Sequence, residues 1–451
     1  MSTDISNHDL ALVNDPLHKL IWRYTVPTIL SMLVTGIYVT IDGMFVGHYL
    51  GETGLGGMML AYPVGALLYA VGAWLGMGGA ALVSINLGLG EVSKARKILG
   101  NTFSLCVISG TLFAIFGSYY ARDILQLLGA EGAVLNSAED YLFWYFALGH
   151  FPIISMAFTA LLRNDGRPGF VTGILIFGGC LNAVLDWLFI VVFPYGLVGA
   201  AIATMLSQAV TGGLCLQHFF SGNTRLKINL EQMTLELDHC FNILKTGLPS
   251  FLMNLYLSIV LTLHNIAFLW VGSPIHVAAY GVVGYTEAFF YLIFEGIAFG
   301  TQPIFSFNAG AGRYDRVFKT LSIAFGISLV TAMIGLLFIY TKPQWMVYIF
   351  AGDNPLLTPY AIEGMRLYFW GLPMEGLLLV GASFFQAINY AKEASILTTA
   401  KLILIAFILY LFAWLFGVTG VWISLASGSC ILVIWMFFAL KRVSKDVGIK
   451  I

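Results

Sequence analysis

Five carboxylates fall within or close to long apolar runs of this sequence: Asp42, Asp186, Glu287, Glu295 and Glu375. A central Asp in hydrocarbon costs about 2.5–3.5 kcal/mol on insertion scales. A residue that carries such a cost usually faces a cavity and has a job there. No Lys or Arg is expected near the middle of these runs, so the acids have no evident basic partner. The chemistry left to them is to bind a proton, a metal cation or a cationic substrate.

Spacing gathers some of these residues. Tyr38 stands four residues before Asp42, Asn182 four before Asp186, and Ala200 four before Thr204. On a helix each pair shares a face. Three helices of the first half could then converge two carboxylates, an amide oxygen and a hydroxyl on one pocket, beside Tyr38. Asp42, Asn182, Asp186 and Thr204 suit a hard cation such as Na+. They equally suit a proton shared between two acids, because close carboxylates resist joint ionisation. The plainer alternative is that each makes a separate interhelical hydrogen bond. In the second half, Glu287 and Glu295 share one run, and Glu375 follows Gly371-Leu372-Pro373. With His264 they are candidates for substrate binding or a second coupling site, or for anchoring buried polar networks.

The elements that position these side chains follow from composition. Of 451 residues, 59% are hydrophobic and only 10% charged, too little charge to coat a water-facing surface. Leu321 to Tyr340 carries no charge at all, and about 20 apolar residues suffice to cross a bilayer as a helix. Twelve spans are expected, at 21–47, 55–85, 98–120, 139–162, 170–193, 196–220, 246–272, 276–307, 320–341, 360–389, 395–416 and 418–440. The fold class is therefore an all-α, multi-pass membrane protein. Alternating the loops puts all but Arg122, Lys342 and Arg366 of the 22 Lys and Arg on one side. Basic loops mark the cytoplasmic side, so both termini are expected there. The polar first twenty residues give no sign of a cleaved leader.

The halves align at an offset of about 222 residues, as Pro27 does with Pro249. Ser84 to Gly90 recurs as Ser306 to Gly312, and Gly196 to Gly199 as Gly417 to Gly420. This divides the chain into an N-lobe (1–220, spans one to six), a cytoplasmic linker (221–245) and a C-lobe (246–451, spans seven to twelve). Six spans per repeat relates the lobes by an axis along the membrane normal, the arrangement of alternating-access transporters. The lobes are chemically unequal, since Asp42 aligns with His264, and Asn182 and Asp186 with Ile403 and Phe407.

The chain resembles the multidrug and toxic compound extrusion (MATE) family over nearly its whole length. The residues that carry the resemblance are Asp42 to His48, Ala61-Tyr62-Pro63, Arg163 to Pro168, Asn182 to Asp186, Gly199 to Thr204, Gln302-Pro303 and Asn308 to Gly312. The resemblance implies a two-lobed exporter in the bacterial inner membrane, expelling cationic amphipathic drugs or dyes in exchange for protons or sodium. In the branch related to the DNA-damage-inducible F proteins, it places the coupling site on Asp42, Asn182, Asp186 and Thr204, with Tyr38 beside them. Another branch uses a second-lobe site with an acid on the seventh helix. Here that helix offers Asn254 and His264 instead, and only Glu375 remains of that pattern, which favours coupling through the first lobe.

Other classes fit less well. No basic face suits nucleic acid, and the five scattered cysteines give no metal or disulfide framework. No filter-like ring points to a channel, and Asp42 with Asp186 mimics an aspartyl dyad only loosely, so no enzyme activity and no cofactor beyond the coupling ion are expected. The chief rival is a flippase for a lipid-linked precursor, which would need a basic cavity. A monomer is expected to suffice.

Overall fold

The structure, a computed structural model, describes residues 7–221, 224 and 226–449; Arg225 and Lys450, counted above among the basic loops, lie outside the described residues. In hydrocarbon an apolar run satisfies its own backbone only as a helix or a closed barrel. The chain is helical, with no strand among the described residues. The first half holds α1 (Asn7–Asn14), α2 (Leu17–Gly88), α3 (Val92–Leu112), α4 (Ala121–Leu127), α5 (Gly132–Ala147), α6 (His150–Asn164), α7 (Pro168–Asp186) and α8 (Gly196–Phe220). The second holds α9 (Leu237–Val271), α10 (Pro274–Gly310), α11 (Tyr314–Thr341), α12 (Pro343–Ala351), α13 (Thr358–Tyr368), α14 (Leu372–Ala387) and α15 (Ala391–Asp446).

Nine of these helices, alone or joined end to end, are long and apolar enough to cross a membrane. Two of them are broken: α2 at Gly51 (φ 65°, ψ −158°) and α15 at Gly417 (φ 59°, ψ −138°), so each supplies two segments. The pair α5 and α6, bent by 53°, adds one more. Counted so, the described residues hold twelve apolar segments, close to the spans read from the sequence. Neither Pro27 nor Pro249 starts a helix, because α2 begins at Leu17 and α9 at Leu237. The Pro27 carbonyl instead accepts hydroxyls from Ser31 and from Thr172 of α7, both at 2.8 Å, which ties α2 to α7.

The internal repeat has a backbone cause. Gly90 and Gly312, which align, both take positive φ (82° and 71°) where the second segment of each half ends. Gly196 and Gly417, which also align, do the same (63° and 59°) where the sixth begins. Only glycine enters that region without strain.

The lobes meet along a seam with no room for side chains. A Cβ on Gly247 would lie 1.8 Å from the Trp74 carbonyl oxygen, one on Gly310 2.1 Å from that of Ile85, and one on Gly88 2.3 Å from that of Phe307. Gly296 and Gly300 press in the same way against Ile29 and Thr25. Close backbone approach through small residues is how membrane helices gain dispersion contact when lipid offers no hydrophobic drive. Polar pairs reinforce the seam: Asn164 Nδ2 donates to Gln302 Oε1 (2.7 Å) and the Trp74 indole to the Leu244 carbonyl (2.7 Å). These contacts cluster toward the basic-loop end of the helices. The stretch before α9 is pinned to α3 by Lys97–Glu236 (2.8 Å) and by Asn101, which donates to the Thr234 carbonyl and accepts the Glu236 amide.

A β-branched side chain at Gly310 should force this seam apart, at a cost of about 1–3 kcal/mol for overpacking. Ser84 is fully buried nearby. In a Ser84→Cys background, Gly310→Val is expected to make the cysteine reactive toward maleimide; unchanged labelling would show that the seam absorbs the extra volume.

Candidate functional site

The N-lobe pocket is built by α2, α7 and α8. The first part of α2 carries Tyr38 and Asp42 on one face, α7 carries Asn182 and Asp186 in its last two turns, and α8 carries Thr204 and Gln208. Asp42, Asn182, Asp186 and Thr204 are all at most 5% exposed. Asn182 Nδ2 reaches Thr204 Oγ1 at 3.5 Å, and Gln208 Nε2 reaches the Tyr38 hydroxyl at 3.4 Å. Asp42 and Asp186 stand close enough to feel each other's charge.

The decisive feature is what these groups lack. Asp42 Oδ1, both Asp186 carboxyl oxygens and Asn182 Oδ1 are buried acceptors with no donor. Buried polar groups are rarely left so, because each costs free energy unless it is matched. A proton on one acid, or a monovalent cation among the four oxygens, would supply the match. Among the described residues no three His, Cys, Asp or Glu side chains group as a metal site; two carboxylates with an amide and a hydroxyl form a lighter donor set.

Tyrosines wall this pocket, and sequence reasoning picked out only one of them as a site residue. Tyr62 and Tyr141 sense the Asp42 charge, while Tyr69 lies between Tyr38 and Tyr145. Tyr141 and Tyr145 stack at 5.0 Å. With 21 tyrosines in the chain, nothing in the pattern separated Tyr62, Tyr69, Tyr141 and Tyr145 from the rest.

The C-lobe acids sit elsewhere and differently. Glu375 on α14 accepts Lys401 Nζ at 2.6 Å, Ser429 Oγ at 2.5 Å and the Tyr256 hydroxyl at 3.3 Å. Glu287 on α10 accepts the Tyr368 hydroxyl at 2.5 Å and leaves Oε1 without a donor. His264 is used at both nitrogens, near the Val260 carbonyl (2.9 Å) and Ser424 Oγ (3.4 Å), and stacks on Tyr280. It is a satisfied core residue. Glu295 stands apart at the lobe interface, where it feels the charge of Arg163.

The expectation that no Lys or Arg lies near the middle of the spans does not hold for Lys401. Lys401 is 7% exposed and ten residues into α15, about 15 Å from its start at 1.5 Å per residue. It is buried among the packed helices against Glu375, not in the basic loop to which the alternation assigned it. Arg163, also assigned to a loop, is 2% exposed in the last turn of α6, with neither terminal guanidinium nitrogen bonded.

The model of the MatE family matches residues 27–188 and again 249–412. The chain belongs to the MatE family. Members of this family are transporters and not enzymes. The two matched stretches open at Pro27 and Pro249, the aligned pair of the internal repeat. Multidrug export protein MepA of Staphylococcus aureus (strain MRSA252) is 26% identical over 437 residues, 95% of this chain and 94% of that protein. The MepA of Staphylococcus saprophyticus is 25% identical over 434 residues, 94% of each. Among solved structures, a MATE in complex with MaL6 superposes with a TM-score of 0.92 at 24% identity, over 98% of this chain and 99% of that one. A MOP superfamily transporter from Pyrococcus furiosus, described by a binding pocket of reverse polarity, gives 0.91 at 23%, over 99% of each. These likenesses show that this MatE chain has the fold of a multi-pass membrane transporter.

The two lobes predict opposite responses to losing a carboxylate. Asp186→Asn replaces an unmatched acceptor with a neutral amide, and should hold or raise stability by about 1 kcal/mol. Glu375→Gln strands the Lys401 ammonium, and should lower stability by roughly 3–5 kcal/mol. Thermal unfolding of the purified variants in sodium-free detergent buffer reads both; equal losses would mean that Asp186 is as well matched as Glu375.

Proposed function

We propose that this chain is a multidrug efflux antiporter of the bacterial cytoplasmic membrane, exporting cationic amphipathic compounds in exchange for protons through the N-lobe carboxylates. The observation that carries this reading is the set of four buried acceptor oxygens without donors around Asp42 and Asp186. The printed role of the staphylococcal relatives, multidrug export, supports the substrate class.

In this reading the ordinary cost of two close carboxylates becomes the coupling device. When one acid takes a proton, the pocket loses a charge and gains a donor, and α2, α7 and α8 can draw together around it. When the proton leaves, repulsion and the demand for solvation favour the state in which the pocket is open. Alternation between these packings moves the cavity's access from one side to the other. The tyrosine walls offer ring faces to a flat cation. Both termini and the 221–245 linker lie on the cytoplasmic side, where the basic loops gather, and one chain forms the whole path. Sodium is the second reading for the coupling ion, favoured by the nearby Asn182 oxygen and Thr204 hydroxyl.

The test is efflux of a fluorescent cationic dye from proteoliposomes under an imposed pH or sodium gradient. The wild-type protein should respond to the pH gradient. Asp42→Asn should lose at least about tenfold, roughly the effect of 1.4 kcal/mol, while remaining folded. A response to sodium alone would reassign the coupling ion. Dye movement by Asp42→Asn at the wild-type rate would remove the N-lobe acids from the mechanism. No movement under either gradient would favour a flippase for lipid-linked precursors.

A further inference from the structure

Glu375, Ser429 and Tyr256 form a buried cage in the C-lobe, and the protein fills it with its own side chain. The Glu375 carboxylate anchors it, accepting the Ser429 hydroxyl on Oε1 at 2.5 Å and the Tyr256 hydroxyl on Oε2 at 3.3 Å. The face of the Tyr256 ring closes another side. A buried carboxylate held in place by two hydroxyls, with an aromatic face beside it, suits a monovalent cation. The Lys401 ammonium lies in it, 2.6 Å from Glu375 Oε2 and 3.7 Å from the Tyr256 ring centroid. Its alkyl stem packs along a small apolar pocket lined by Met253, Tyr291, Leu378 and Leu397.

The two lobes therefore solve the same electrostatic problem in different ways. In the N-lobe, buried acceptor oxygens stand with no positive group of the protein near enough to bond them. In the C-lobe, both Glu375 oxygens are engaged, and the charge that balances them is covalently attached. A tethered ion has an effective local concentration that a free ion in solution does not reach, so it excludes competitors without any special selectivity.

We propose that Lys401 is a tethered counter-cation, occupying a C-lobe cage that in its absence takes a free monovalent cation, so that exchange with ions of the medium is confined to the N-lobe. Glu287 lies near enough to sense both Lys401 and Glu375, but it is held by Tyr368 and contributes no bond to the cage. Lys401 is thus a specificity-determining residue for the coupling ion. Cation binding at this cage does not depend on which compound is transported.

The experiment measures cation-dependent thermal stability of purified full-length protein in detergent, with sodium or potassium chloride replacing choline chloride. Asp42→Asn serves as the background, to remove the N-lobe response. In that background the protein with Lys401 intact should not respond to either cation. Adding Lys401→Met should create a saturable rise of about 2 °C or more at roughly 100 mM sodium or potassium. Adding Glu375→Gln as well should abolish it, and Lys401→Arg, which keeps the charge, should stay unresponsive. A Lys401→Met protein that folds only when sodium or potassium is present supports the same conclusion. The proposal is overturned if the Lys401→Met protein is folded and indifferent to both cations. It is equally overturned if Lys401→Met fails to fold in every salt while Lys401→Met/Glu375→Gln folds, since no free cation then replaces the ammonium. A cation response with Lys401 intact that Glu375→Gln removes would overturn it too, by showing that the lysine does not close the cage.

Discussion

A charge in hydrocarbon must have a partner, and the cost of leaving it alone exceeds almost any packing gain available to a membrane helix. That constraint decides where the polar groups of this chain stand. Its carboxylates lie not on the lipid face but inward, each against helices that bring oxygens, rings or an ammonium to it. Glu375 meets Lys401, Ser429 and Tyr256; Glu287 meets Tyr368; Asp42 and Asp186 meet oxygens and tyrosines but no donor. The helices bend and break where this gathering requires it. The sharp turn at Gly51 lets α2 fold back so that its first part, with Asp42, and its second part, with the seam glycines, serve the same lobe.

The asymmetry of the lobes follows from the same cost. The two halves repeat backbone turns at aligned places, with positive φ at Gly90 and Gly312 and at Gly196 and Gly417. The side chains do not repeat. In one lobe a lysine balances Glu375, while in the other Asp42 Oδ1 and both Asp186 oxygens have no donor.

Much of this was legible from sequence, and for an identifiable reason. Acids in apolar runs are conspicuous, so Asp42, Asp186, Glu287, Glu295 and Glu375 were visible, and helical spacing joined Asp42 to Tyr38 and Asp186 to Asn182. The twelve segments and the repeat were visible because both rest on glycine and on run length. Lys401 escaped because a lysine seven residues into a predicted span reads as a charge that snorkels to the nearer interface. Its partner is 26 residues earlier on another helix, a separation that no periodicity marks. The tyrosines of the N-lobe escaped for the opposite reason: in a chain with 15% aromatic residues they are camouflaged by abundance. Arg163 looked like part of a basic loop because it begins a polar run, Arg163 to Pro168; only the packing of α6 against the other lobe shows that it is inside.

The glycine seam has a meaning for the membrane as an energy store. Protons leak along files of hydrogen-bonded water, and such a file needs a continuous bore. Where Gly247 faces Trp74 and Gly310 faces Ile85, the two backbones leave no space even for a methyl group, and so none for a water molecule. At these contacts the seam is an insulator as well as a joint. A transporter must not let ions leak past its own joints, and here the insulation comes from the absence of side chains.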